Sequence, residues 1–259
     1  METYKLWDKT PFVDGEEPVI EYYPAENRKT DCAFVIFPGG GYCARTPYEG
    51  EGYAEFLNSH GIDAFVCEYR LCPYHFPVQL LDARRAVRFV RANAERFGIS
   101  KDKIVVIGSS AGGHLISLLA NYRDPIPGEG ADDIDREDYM PDGTVMCYAV
   151  IDHALDPDNP NVYGCLMALT DGKDMEKVYT DRLVDERTPP AFIWSTFDDT
   201  IVNCVHSIAY ASALAKYGIP HELHIFEGLE HGSGLAYESE HVHQWANLMV
   251  EWLRTRNFL

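Results

Sequence analysis

Apolar residues along this chain fall into two alternating kinds of segment. Short apolar runs occupy 33–37, 62–69 and 104–107, the last rich in β-branched residues. Runs of that length suit strands buried on both faces better than helices. The theme repeats at 145–151, 191–197 and 221–226, the last with Leu223 and Ile225 on one face. Between the runs the spacing changes. Leu80, Ala83, Val87, Val90, Ala94 and Phe97 recur at steps of three and four, which draws one apolar stripe on a helix terminated by Gly98. Helices are also expected over 51–60, 110–122, 204–217 and 242–253. Strand and helix in alternation predict crossover units: an α/β fold with a mostly parallel sheet and helices on both faces. Ligands of such sheets bind beyond the carboxyl ends of the strands, so the loops after each strand are where chemistry is expected.

Two stretches break the rhythm, 123–144, rich in Pro, Gly and acid, and 152–190, a long mixed connection. Both read as excursions from a single domain spanning 1–259, because connections of that length in a compact domain are commonly lids or binding loops. With 46% hydrophobic residues, the chain has enough apolar surface to bury without metal or disulfide staples. Its seven cysteines include no C-x-x-C pair. Cys32, Cys67, Cys147 and Cys204 sit in or beside apolar runs, the pattern of reduced core thiols. No basic segment followed by an apolar one opens the sequence, and no run of apolar residues is long enough to span a bilayer. The expectation is a cytoplasmic protein. A net charge of −19 argues against nucleic acid and anionic membrane partners, which call for clustered Lys and Arg.

The strongest chemical signal is Gly108-Ser109-Ser110-Ala111-Gly112, directly after one predicted strand and directly before a predicted helix. This is the G-x-S-x-G nucleophile elbow, in which the glycines let the chain turn sharply and hold the central serine exposed at the sheet's edge. Spacing selects Ser110. A second signal, Pro38-Gly39-Gly40-Gly41-Tyr42, follows the 33–37 strand. Its backbone can approach a ligand closely, and the N–H groups of Gly40 and Gly41, with that of Ala111, are the expected donors to an oxyanion. Phosphate-binding readings of these glycines fail for want of G-x-G-x-x-G or G-K-[ST]. The base expected downstream is His231, in the loop after the 221–226 strand. His221 and His224 lie within that strand, His114 and His206 within helices, and His241 and His243 on the last helix. No H-E-x-x-H suggests a metal, and none is expected. Asp198 and Asp199 both follow the 191–197 strand and either can orient the histidine by spacing; Asp152 lies one strand too early.

With these residues in place, the chain resembles the bacterial acetyl-esterase and acetylxylan-esterase-like branch of the α/β hydrolases, related to the hormone-sensitive-lipase-type esterases. The resemblance runs from about Ala33 to Ala236. It rests on Pro-Gly-Gly-Gly-Tyr at 38–42, Tyr69-Arg70-Leu71, Asp82-Ala83 with Arg85-Ala86, Gly-Ser-Ser-Ala-Gly-Gly-His-Leu at 108–115, Thr188-Pro189-Pro190, and Gly228 with His231-Gly232. In that group the acid stands in Asp-x-x-Val-Pro; Asp199-Thr200-Ile201-Val202-Asn203 matches except at Asn203. The resemblance therefore implies Asp199, and it implies a structural role for Asp82.

The expected function is a serine carboxylesterase acting on short acyl, above all acetyl, esters of a carbohydrate such as acetylated xylan fragments. Ser110, His231 and Asp199 form its triad, and no cofactor is expected. Tyr42, Tyr48 and His75 are the expected substrate contacts at the mouth. The expected partner is a small-molecule or oligosaccharide ester, and homo-oligomerisation is left open. Competing readings are a formamidase of the kynurenine-formamidase type, an aminopeptidase-like peptide hydrolase, and a non-catalytic binding protein on the same fold.

Overall fold

A computed structural model describes all of the chain except Asp14 and Ala131. The six expected strands are all present as β3 (Ala33–Phe37), β4 (Asp63–Glu68), β5 (Ile104–Ser109), β6 (Gly143–Cys147), β7 (Ala191–Thr196) and β8 (His221–Phe226). They run parallel. Two short strands, β1 (Glu2–Lys5) and β2 (Val19–Tyr23), add an antiparallel edge and complete an eight-stranded sheet of order β1-β2-β4-β3-β5-β6-β7-β8. This edge carries Glu2, Lys5 and Glu21, so its strands lack the fully buried apolar runs of β3 and β5.

Alternation along the strands feeds two cores. Ala33, Val35 and Phe37 face one side of the sheet, while Phe34 and Ile36 face the other. On the first side lie α2 (Val78–Ala92), α3 (Ala94–Phe97), α4 (Ala111–Asn121) and α6 (Val205–Lys216); on the second lie α1 (Pro47–Ser59) and α7 (Glu240–Thr255). There Trp194 of β7 stacks on Trp245 of α7 with ring centroids 4.6 Å apart. The apolar stripe predicted from 80 to 97 is buried along its length, but the helix breaks at Asn93 before Gly98 ends it with φ +67°. The helix expected at 51–60 starts earlier, at Pro47, a residue suited to a first helical position. β6 stops four residues short of its expected end: Tyr148 turns with φ 37°, and Val150 N–H bonds back to the Ser110 carbonyl.

The 123–144 excursion is clasped to α2 by buried arginines. Arg84 and Arg88 both meet Glu129 at 2.9 Å, Arg85 meets Asp132 at 2.6 Å and Asp135 at 2.9 Å, and Arg91 meets Asp142 at 3.0 Å. The 152–190 excursion holds a helix that the sequence reading does not name, α5 (Pro160–Thr170), capped by the Asn159 side chain. Asp82 ties α2 to the segment after β4 by accepting from the Arg70 backbone N–H and guanidinium. The first parallel crossover runs outward, to β4, and the next returns past β3 to β5. The strand order therefore reverses between β3 and β5, and the crevice beyond their carboxyl ends is where ligands of open α/β sheets bind.

Candidate active site

β5 delivers Ser110 to that crevice. The chain turns from strand to helix in one residue, and Ser110 takes φ 52° and ψ −117°, outside the regions open to ordinary side chains. The turn needs the flanking glycines. A Cβ on Gly108 would lie 2.4 Å from the Gly112 carbonyl oxygen, and one on Gly112 would lie 2.0 Å from that of Phe37. Both distances are far inside van der Waals contact. α4 begins at the next residue, so the Ala111 N–H is one of the donors that a helix start leaves without an intrahelical acceptor.

The loop after β8 brings His231 over Ser110. Its Nε2 lies 2.8 Å from Ser110 Oγ, and its Nδ1 lies 2.7 Å from Asp199 Oδ2. A carboxylate can only accept, so Nδ1 carries the proton and Nε2 is left to accept the serine O–H. Asp199 is buried, and its other oxygen accepts the N–H groups of Ile201 (2.9 Å) and Val202 (2.8 Å). Asp198 instead accepts from Gly228 N–H and joins this turn to the loop after β8. Asp152 is buried away from His231, accepting from Ala154 N–H and pairing with Arg182. Asn203, where the related pattern has proline, accepts the Val205 N–H with its side chain at the start of α6. The arrangement can move the Ser110 proton to His231 while Asp199 holds the ring in one tautomer.

Facing Ser110 is the turn after β3. Gly40 has φ +132° and Gly41 φ +63°, and the Gly40 carbonyl accepts the N–H groups of Cys43 and Ala44, each at 3.0 Å. Among the described residues no protein acceptor takes the N–H of Gly40 or Gly41. Both glycines line the cleft with Ser110 and His231. The cleft encloses about 550 Å³, and α5 forms one wall through Pro160, Asn161, Gly164 and Cys165.

The three expected substrate contacts separate. Tyr48 lines the cleft, and its hydroxyl donates to the Gly232 carbonyl at 2.7 Å. Tyr42 is a correction: its ring is fully buried, and its hydroxyl meets His114 Nδ1 at 2.7 Å. His114 Nε2 meets the Val178 carbonyl at 2.8 Å, so the imidazole is neutral, and burial lowers its pKa to about 4. A positive φ at Tyr42 sends the side chain into the core while the preceding glycines face the cleft. His75 is a second correction. Its Nδ1 is engaged by the Ala168 carbonyl at 2.9 Å, and it is not among the residues that line the cleft. Two side chains absent from the sequence reading stand beside His231. Tyr148 meets its ring edge-on with centroids 5.0 Å apart, and Glu49 accepts the Tyr148 hydroxyl. Nothing in the local pattern around Glu49 distinguishes it from the neighbouring helix-surface glutamates. Among the described residues no group of three His, Cys, Asp or Glu side chains is placed to hold a metal, and no helix is long and apolar enough to cross a membrane.

The family model for BD-FAE matches residues 21–214. This chain belongs to the BD-FAE family. The BD-FAE chain is also similar to the endo-1,4-beta-xylanase B of Butyrivibrio fibrisolvens, 34% identical over 84% of this chain and 35% of that protein. Similarity extends to the acetylxylan esterase of Xylanibacter ruminicola, 28% identical over 93% of this chain and 49% of that protein. The chain thus spans about a third and a half of the lengths of these two relatives. Among solved structures, the acetyl ester-xyloside bifunctional hydrolase from Caldicellulosiruptor lactoaceticus matches at a TM-score of 0.91 and 36% identity, covering 100% of this chain and 97% of that one. The BD-FAE chain is an α/β hydrolase of the acetylxylan-esterase-like branch.

Proposed function

We propose that this protein is a serine carboxylesterase that cleaves short acyl, chiefly acetyl, esters carried on a carbohydrate. The observation that supports it most is the unbroken hydrogen-bonded line from Ser110 through His231 to Asp199, opening on a cleft whose opposite side is the Gly40–Gly41 turn. Ser110 Oγ attacks the acyl carbonyl as its proton passes to His231 Nε2. The negative charge that develops on the carbonyl oxygen is met by the N–H groups of Gly40, Gly41 and Ala111, donors of a kind worth ~3–4 kcal/mol each. His231 then gives its proton to the departing alcohol, and water, activated by the same nitrogen, releases the acid from the acyl-enzyme. The acetyl and carbohydrate preferences draw on the relatives named above, one an acetylxylan esterase, one a xylanase and one an acetyl ester-xyloside hydrolase. A neutral sugar ester also suits a chain of charge −19, which repels anionic substrates.

The test is hydrolysis of p-nitrophenyl acetate, butyrate and octanoate, followed by acetyl release from acetylated xylo-oligosaccharides. The expected outcome is a falling rate with acyl length, and a loss of about 10³-fold or more in kcat in Ser110→Ala. Ester turnover surviving in that variant overturns the nucleophile. Turnover of formamides or aminoacyl amides in preference to esters moves the protein to the formamidase or peptidase reading. No turnover of either moves it to a binding role.

A further inference from the structure

One carboxylate lining the cleft lies outside the line from Ser110 to Asp199. Glu49, in the first turn of α1, is only 2% exposed, yet among the described residues no lysine or arginine pairs with it. Its partners are donors. Gly39 N–H reaches Oε2 at 2.8 Å, and the Tyr148 hydroxyl reaches Oε1 at 2.6 Å. Tyr148 in turn accepts the Gly234 N–H at 3.0 Å while its ring packs edge-on against His231. The Glu49 carboxylate thereby joins three loops at the sheet's carboxyl edge: the glycine turn after β3, the Tyr148 turn after β6, and the 231–234 segment after β8. Burial raises its pKa on balance, opposed in part by the Tyr148 hydroxyl, the Gly39 N–H and the nearby His231, which favour the charged form. A buried carboxylate without a cation destabilises a fold, so a structural purpose alone does not account for placing one there.

Taking the esterase reading as given, we infer that Glu49 is a positioning residue for the reaction. Through Gly39 it fixes the turn that presents the Gly40 and Gly41 N–H groups. Through its charge it acts with Asp199 to favour the imidazolium of His231 that exists only while the reaction proceeds. The groups facing His231 are Ser110 from the elbow, Asp199 after β7, Tyr148 after β6 and Glu49 from α1. The adjoining Glu230 carboxylate is turned to Thr200. Glu49 itself also faces Tyr48 and Tyr53 on α1, Tyr69 after β4 and Cys147 at the end of β6. Burial raises the pKa of all four, so they stay neutral at working pH.

The experiment compares Glu49→Gln and Glu49→Asp with the unaltered protein on p-nitrophenyl acetate across about pH 5 to 9, after circular dichroism has established that each is folded. Activity of the unaltered protein and its loss in Ser110→Ala decide the esterase reading separately. In Glu49→Gln, kcat is expected to fall about tenfold with KM within about twofold, and the acid limb of the kcat/KM profile to move to lower pH. Glu49→Asp keeps the charge and is expected to keep the acid limb in place, while its shorter reach lowers kcat. A Glu49→Gln enzyme with unchanged kcat, or with lowered kcat and an unmoved acid limb, overturns the inference. Should Glu49→Gln fail to fold, Glu49→Asp decides: kcat at the unaltered level overturns it, and lowered kcat with the acid limb in place supports it.

Discussion

Tyr42 lies one residue beyond the glycine turn, and its ring points into the core, away from the acyl group that the turn is proposed to hold. Its hydroxyl has one partner to lose, the bare Nδ1 of His114. Tyr42→Phe is therefore expected to cost about 1 kcal/mol of stability in denaturant melts while leaving KM for p-nitrophenyl acetate unchanged. A raised KM at unaltered stability would restore Tyr42 as a substrate contact. Asp198 and Asp199 show how much one residue of backbone decides. Asp199 turns inward to His231 and the two N–H groups after it, and Asp198 turns outward to Gly228. Asp199→Asn, which forces the wrong imidazole tautomer, is expected to lower kcat by about 10⁴-fold. Asp198→Asn loses only a turn contact and is expected to lower it by less than about tenfold. The same steady-state assay reads both, and equal losses contradict the assignment.

At the scale of elements, the clasp between α2 and the 123–144 excursion is electrostatic. Arg85 is 1% exposed, donates to the Leu6 carbonyl at 2.6 Å, and grips Asp132 and Asp135. Replacing it by Ala leaves those carboxylates without the guanidinium and is expected to destabilise by about 3 kcal/mol. Hydrogen exchange is expected to quicken in the excursion before it does in the sheet, and uniform protection throughout would contradict the clasp. Which elements the sequence revealed follows from how local their causes are. β3 and β5 declare themselves because they are buried on both faces and dominated by apolar residues, whereas β8, which is only half-buried, shows itself through Leu223 and Ile225 on one face. The elbow declares itself because two glycines at 108 and 112, two positions either side of Ser110, answer to one tight turn. α5 was legible in principle: Val162, Cys165, Leu166 and Leu169 repeat at helical spacing after Asn159-Pro160, but a long mixed connection hides so short a stripe. Glu49 and Tyr148 meet across 99 residues of sequence, and no local pattern signals such a contact. Likewise, Tyr42 and His75 flank cleft-forming segments, and only packing decides which way they face.

For the whole molecule, two histidines set part of the acid behaviour. Burial lowers the pKa of both His114 and His206 from 6.5 to about 4. His206 Nδ1 accepts the N–H groups of Ile151 and Asp152, which a protonated ring cannot do. The folded state refuses protons that the unfolded chain takes up. The stability they contribute is therefore complete above about pH 6.5 and is lost as pH falls towards about 4, by roughly 3 kcal/mol for each. Partly buried carboxyls such as Glu68 and Asp142, whose pKa is raised by loss of solvent, act in the opposite sense, so a melting curve mixes the two. Imidazole NMR signals separate them. Two that do not titrate above about pH 5 are expected, and titration of every histidine near pH 6.5 contradicts the assignment.

The wall made by α5 has a further bearing. Ser110, Asp199 and His231 are anchored by the ends of β5, β7 and β8, whereas this wall hangs on a connection between β6 and β7 that carries none of them. Lengthening, shortening or resurfacing that one insert alters what fits without touching the parts that do the chemistry. Divergence among related enzymes, and grafting in the laboratory, can therefore exchange the gatekeeper and keep the engine.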